Sequence, residues 1–336
     1  MDKGLYPKHH FWGCDAIKNE SLWKTSIITK SNITIPRVVN RLLNRFIFRN
    51  SPGFHYEFAA WKNGQHSDLI YSVCGPLSLV RFYKITKLVS WVFRPPSETK
   101  LLLTDPYNLR NLSAHKGFLC LTRKAHDYFS QFAPSKFIPW CVDQDMFDGK
   151  PPLQNPENPF FLASGKTGRD YETLVKAANY INAEIRIIGP SIQRPRDLPP
   201  NVNWIDTSSD PPDQAIDYPT LREWYAQCTA VCIPLNGDAD DTCGYTNMLE
   251  AMAMRKPVMM TQSGCLHISP ETDGFGFQIK PRDIRGWVDA MNHLHKDHKK
   301  ALAMGYRGRE IVERDFTIDR FNQDILGFIE TILNKS

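Results

Sequence analysis

The feature that most restricts this chain is the alternation in its second half. Short apolar runs at 160–164, 184–188, 202–205, 230–234 and 257–261 take turns with helical patterns at 170–181, 218–227, 245–254, 282–296, 298–315 and 317–333. Alternation of this kind predicts an α/β fold, a parallel sheet covered by helices. In such sheets ligands bind at the carboxyl ends of the strands.

A chain of 336 residues is long enough for two domains. The stretch Gly149-Lys150-Pro151-Pro152, continuing through Pro156 and Pro159, reads as the linker. It divides the chain into an N-terminal domain, 1–150, and a C-terminal domain, 151–336. The first part is less regular. Strands are expected at 68–73, 100–104 and 117–121, and a long helical pattern follows Gly75-Pro76. Residues 1–150 hold 21 Lys and Arg against 11 Asp and Glu, and the remainder 20 against 25. The basic half is therefore the candidate for an anionic surface.

Eight cysteines are scattered without a Cys-x-x-Cys pair, and Cys232 sits within an apolar run. This fits reduced, buried thiols in a cytoplasmic protein and no zinc site. The longest apolar stretch, near 77–93, is broken by Arg81, Lys84 and Lys87, so a spanning helix is not expected. Residues 1–4 precede no apolar h-region, so no signal peptide is expected.

A glycine loop leads into a helix at Gly244-Tyr245-Thr246-Asn247. Unpaired N–H groups and the helix dipole make such a start an anion site. Glu250, about a turn further on, is placed to accept two hydrogen bonds from a ribose diol. The alternative is a capped amphipathic helix with a solvated glutamate. Asp238, Asp240 and Asp241 lie just upstream, where acids suit sugar hydroxyls better than phosphate.

The run Glu250-Ala251-Met252-Ala253-Met254-Arg255-Lys256-Pro257-Val258 resembles the signature of glycosyltransferase family 4. Three further segments resemble that family in order: Cys141-Val142-Asp143 with Phe147, Ser164–Tyr171, and Thr272-Asp273-Gly274-Phe275. The resemblance implies a GT-B fold, two Rossmann-like domains facing across a cleft. It also implies sugar transfer with retention from a UDP- or GDP-sugar to an acceptor hydroxyl on a glycan or lipid-linked carrier.

By the same resemblance, Gly165 with Lys166 and Arg169 binds the donor diphosphate. With no metal or cofactor, such protein cations carry the charge of the leaving group, and one preorganised donor is worth roughly 10²–10³ in rate. Solvated loop cations are the alternative. The neighbourhood of Thr220 and Leu221 encloses the base. Asp105, after the apolar run 101–103, matches in position the residue near the transferred sugar, and capping the next turn is its alternative. The sequence departs from the pattern at three points, one being that it runs almost directly into Lys3-Gly4-Leu5-Tyr6, where the family has a first strand and a Gly-rich loop. Thr242 stands where a glutamate contacts the sugar, leaving Asp241 as the substitute, and Arg255 stands where glycine ends the helix.

Lys8-His9-His10 is a basic cluster with no third ligand at useful spacing. Contact with phosphate or acceptor is one reading, and surface polar residues the other. Arg37, Arg41, Arg45 and Arg49 recur every four residues beside Val38, Leu42 and Phe46. This basic amphipathic helix suits peripheral contact with an anionic membrane, or is an ordinary exposed helix. Nucleic acid is not an expected partner, since interleaved exposed aromatics are lacking. A nucleotide-sugar epimerase or hydrolase on the same fold, and a non-catalytic sugar- or membrane-binding module, are the rival readings.

Overall fold

The structure is a computed structural model. It describes residues 6–48, 51–64, 66–82, 87–94, 106–149, 159–207, 216–238, 240, 242–262 and 264–334. Arg49, Asp105, Asp241, the strand expected at 100–104 and most of the expected linker lie outside these residues. The chain divides into two compact units, one of Phe11–Pro139 with Phe321–Ser336, the other of Met1–His10 with Trp140–Arg320.

In the former unit, helices α1 (Cys14–Asn19), α2 (Arg37–Phe46) and α3 (Phe54–Gly64) precede a sheet of β1 (Leu69–Ser72), β2 (Lys87–Val92), β3 (Gly117–Cys120) and β4 (Ser135–Phe137). All pairings are parallel, in the order β1-β2-β3-β4. Two further helices, α4 (Pro106–Ser113) and α5 (Arg123–Phe129), alternate with the strands, and Thr122 caps α5 through the Ala125 N–H. The long helical pattern expected after Pro76 is corrected here. Among the described residues, a short 3₁₀ turn, Leu79–Phe82, is followed by strand β2. Five of the six β2 residues are buried, and the β-branched and aromatic side chains of Val89, Trp91 and Val92 suit a pleated, covered surface.

The other unit contains β5 (Phe160–Ser164), α6 (Tyr171–Ala178), β6 (Glu184–Gly189), β7 (Val202–Asp206), α7 (Tyr218–Gln227), β8 (Ala230–Ile233), α8 (Tyr245–Ala253), β9 (Val258–Thr261) and β10 (Gly276–Ile279). It closes with α9 (Ile284–Lys296) and α10 (His298–Asp315). Its six strands are all parallel, in the order β10-β9-β8-β5-β6-β7. Every residue of β5, β8 and β9 is buried, as central parallel strands covered on both faces require. Aspartates cap the helix starts: Asp170 for α6, Asp217 for α7, Asp283 for α9 and Asp297 for α10. Strand β10 was not anticipated. It is four residues long and begins with glycine, too little for a periodicity argument.

The final helix, α11 (Ile318–Asn334), packs against the first sheet from Phe321 onward. Phe321 stacks on Trp91 at 5.5 Å, and the Lys87 ammonium donates to the last-turn carbonyls of Ile332 and Leu333. Among the described residues, no helix is long and apolar enough to cross a membrane.

Candidate functional site

The order of the second sheet reverses between β5 and β8, and the carboxyl ends of these neighbours open a crevice. The loops that leave them are tied together. Arg169 and Leu235 form an isolated bridge, the Asp170 N–H donates to the Pro234 carbonyl at 3.1 Å, and the Asn236 N–H donates to that of Gly168 at 3.0 Å.

Helix α8 begins at this crevice. Its N-cap, Gly244, has φ +82° and offers no side-chain acceptor, unlike the aspartates of its neighbours. A Cβ at Gly244 would also strike Ile233 on β8. Glycine is required by the backbone and by the packing at once. Seven of the nine α8 residues are buried, among them Met248, Leu249 and Met252. Burying each such side chain contributes about 1.5–3 kcal/mol, which anchors the helix start firmly.

A buried polar chain runs from this helix in two directions. Asn247 accepts from the Arg169 guanidinium at 2.6 Å and donates to Ser164 Oγ at 2.9 Å and to the Tyr225 hydroxyl at 3.3 Å. Tyr225, on α7, donates to Glu250 Oε2 at 3.0 Å. Desolvation by burial, then the Glu250 charge, pushes the Tyr225 phenol well above its ordinary range, so it stays a neutral donor. Glu250 is only 2% exposed.

The second carboxylate oxygen, Oε1, lies 3.5 Å from His9 Nε2. His9 belongs to a 3₁₀ turn, Lys8–Phe11, that is pinned by Asp143. The Asp143 carboxylate accepts the Lys8 N–H at 2.8 Å and the Met146 N–H at 3.1 Å, and the Asp143 N–H donates to His9 Nδ1 at 3.0 Å. A ring whose Nδ1 accepts carries its neutral-form proton on Nε2. His9 therefore aims a donor at Glu250.

His9, His10 and Glu250 bring ligand atoms within 4.8 Å of one another. The third ligand that local spacing lacked thus arrives from the far end of the chain. A metal-bound histidine normally donates through its other ring nitrogen. His9 accepts there, so the trio lacks that feature of a ligand set.

The structure places the expected site residues unevenly. Gly165, Arg169, Asn247 and Glu250 come together at the crevice. Gly165 has φ +134°, and a Cβ there would run into the Arg169 guanidinium. Arg169 lies on the same loop as Gly165. Its guanidinium is buried and donates to the Ser164 and Thr167 carbonyls and to Asn247, so it braces the loop instead of facing outward. Lys166, beside it, is exposed. Tyr245 opens α8, and its ring is buried against His267 and Phe316. Thr220 and Leu221 form the first turn of α7, with their N–H groups bonded to Asp217. Thr246 is half-buried on the first turn of α8. Tyr225 and the His9–Glu250 contact carried no local sequence signal, because each partner lies on a different element.

An α/β unit of this strand order, with a glycine-started helix and a second glycine loop at the switch point, defines a Rossmann-like binding domain of GT-B type. Residues 169–297 match the family model described as Glycosyl transferases group 1. The chain thus carries a glycosyltransferase domain and is a glycosyltransferase enzyme. Among solved structures, it is similar to sucrose-phosphate synthase from Thermosynechococcus elongatus, with 17% identity and a TM-score of 0.62 over 94% of this chain and 86% of that one. A glycosyltransferase from Rickettsia africae matches at 14% identity and a TM-score of 0.60, over 92% and 85%. HepE of Anabaena, in complex with UDP, matches at 14% identity and 0.62, over 82% of each chain. No curated protein sequence matches the chain.

Proposed function

We propose that the protein transfers a hexose or related sugar, with retention, from a UDP- or GDP-sugar to a hydroxyl of a glycan or lipid-linked acceptor. The observation that carries this reading is the uncapped, glycine-started α8 with Glu250 one turn inside it, set beside the Gly165 loop at the sheet's switch point. The diphosphate lies against the α8 N-terminus, where backbone dipoles and the Lys166 ammonium meet the charge that builds on the leaving group. Glu250 receives the ribose hydroxyls, and Thr220 and Leu221 border the base. Asp241 orients the sugar in place of the missing glutamate, and Asp105 is assigned to the transferred sugar as well. Solved complexes of HepE with UDP and with UDP-glucose favour a uridine donor.

No side chain at the described site is placed as a nucleophile. A front-face reaction, in which the leaving phosphate takes the acceptor proton, suits this arrangement. The donor is a substrate, and neither cofactor nor metal is assigned. The reading also includes a cytoplasmic location and peripheral membrane contact through Arg37, Arg41, Arg45 and Arg49.

The test is calorimetric titration of the full chain with UDP and GDP, followed by a donor-hydrolysis panel of UDP- and GDP-sugars. Nucleotide binding lost in Lys166→Ala supports the reading. A chain that binds neither nucleotide and hydrolyses no donor overturns it. Isomerised donor formed without any acceptor would favour an epimerase on the same fold.

A further inference from the structure

Helix α2 is attached to its unit by the wrong side for a soluble protein. Its sequence, Arg37-Val38-Val39-Asn40-Arg41-Leu42-Leu43-Asn44-Arg45-Phe46, has a clear apolar face. At about 100° per residue, Val38, Leu42 and Phe46 lie opposite Asn40 and Asn44. A surface helix normally turns its apolar face to the core. Here the asparagine face is the attached one. Asn44 Oδ1 accepts the Phe54 N–H at 2.9 Å, and Asn44 Nδ2 donates to Asn40 at 3.0 Å. None of the ten residues is buried, and Val38, Leu42 and Phe46 are 68%, 50% and 67% exposed. Upstream, Leu22 and Ile27 of the same unit are 88% and 79% exposed.

Charge identifies the partner. Residues 21–56 contain six Lys and Arg and not one Asp or Glu. Arg37, Arg41 and Arg45 follow one another along the helix at four-residue steps, flanking the apolar row. Their charged heads can stay at headgroup level while the row enters the acyl boundary. A protein partner of ordinary composition would meet this surface with scattered charges of both signs. A surface of uniform negative charge over an apolar interior complements both features together.

We propose that the outward face of α2 docks on the surface of an anionic lipid bilayer, inserting Val38, Leu42 and Phe46 while Arg37, Arg41 and Arg45 pair with acidic headgroups. This extends the membrane contact of the reading above, names the lipid chemistry, and stands on surface properties alone, independent of sugar transfer.

The test is co-sedimentation of the full chain with phosphatidylcholine vesicles, with and without phosphatidylglycerol. Binding is expected only with phosphatidylglycerol. At about fivefold per cation, the Arg37→Gln/Arg41→Gln/Arg45→Gln variant should bind roughly 100-fold more weakly. The Val38→Ser/Leu42→Ser/Phe46→Ser variant should lose binding while retaining the circular dichroism and melting temperature of the parent. In Phe46→Trp, anionic vesicles should shift the indole emission to the blue. Equal binding to neutral vesicles, no binding to either, or unchanged binding by the serine variant overturns the proposal. So does concentration-dependent dimerisation that the serine variant abolishes, which would make a second copy the occupant. Nucleotide titration of the same samples separates this outcome from failure of the transferase reading.

Discussion

Helices α8 and α2 are nearly equal in length and both carry apolar side chains along one face. Seven residues of α8 are buried, and none of α2. The helix α8 sits between β8 and β9 in the chain, so its apolar face has a sheet to cover, and its first turn is left at the crevice. The helix α2 comes before any described strand, and its firmest attachments are one asparagine and the neighbouring Phe48–Phe54 contact. The difference teaches that amphipathicity states that a face will be covered, but not by what. In α8 the cover is the protein's own core, and the polar first turn becomes a site. In α2 the apolar face is left over, and the cover is sought outside.

Substitutions can break or sharpen that contrast. The largest effect is expected from Lys166→Ala in the Gly165 loop. Loss of a preorganised cation should lower kcat for transfer about 10²–10³-fold, about 2.7–4 kcal/mol, with little change in melting temperature. Steady-state kinetics with a UDP-sugar checks this, and an unchanged kcat would remove Lys166 from the leaving-group role.

Gly244→Ala comes next. The left-handed backbone and the contact with Ile233 together should cost about 2–3 kcal/mol in a urea titration, and nucleotide affinity should fall with it. Asn247→Ala removes one acceptor of Arg169 and a donor to Ser164 and Tyr225. It should destabilise by about 1–3 kcal/mol and loosen the Gly165 loop, seen as faster amide exchange there.

Arg255→Gly tests the other end of α8. Arg255 has φ +58°, the left-handed position that glycine favours, yet its guanidinium bonds Asp148 and the Gly149 carbonyl. Relief of the backbone and loss of these bonds oppose each other, so the net change should stay within about 1 kcal/mol. The smallest change in stability belongs to α2. Leu42→Ser, on the exposed face, should shift the unfolding free energy by less than about 0.5 kcal/mol. A loss of several kcal/mol would mean that the face is covered within the chain, and the contrast with α8 would collapse.

Much of the second unit was legible in advance. Apart from β10, its strands and helices fall where the apolar runs and helical patterns placed them, because each central strand is buried on both sides and leaves an unmistakable run. The first unit was less readable. The stretch after Pro76 has apolar spacing compatible with a helix, and only pairing with β1 and β3 makes 87–92 a strand. Within the site, Gly165, Gly244 and Glu250 were readable because turns, helix starts and motif spacing are local. Arg169 was recognisable as a cation, but its direction was not, since the carbonyls that capture it belong to a folded loop.

By itself the sequence determined the α/β class, the glycine at the head of α8, the carboxylate one turn inside it and the acid-free basic stretch before Glu57. These are properties of neighbours along the chain, set by backbone sterics, period and composition. Tertiary structure alone decided that Glu250 faces Tyr225 and His9, that Arg169 turns inward, and that α2 turns its apolar face outward. Each of those depends on groups brought together from distant parts of the chain, and no local pattern records which partner a buried polar atom meets.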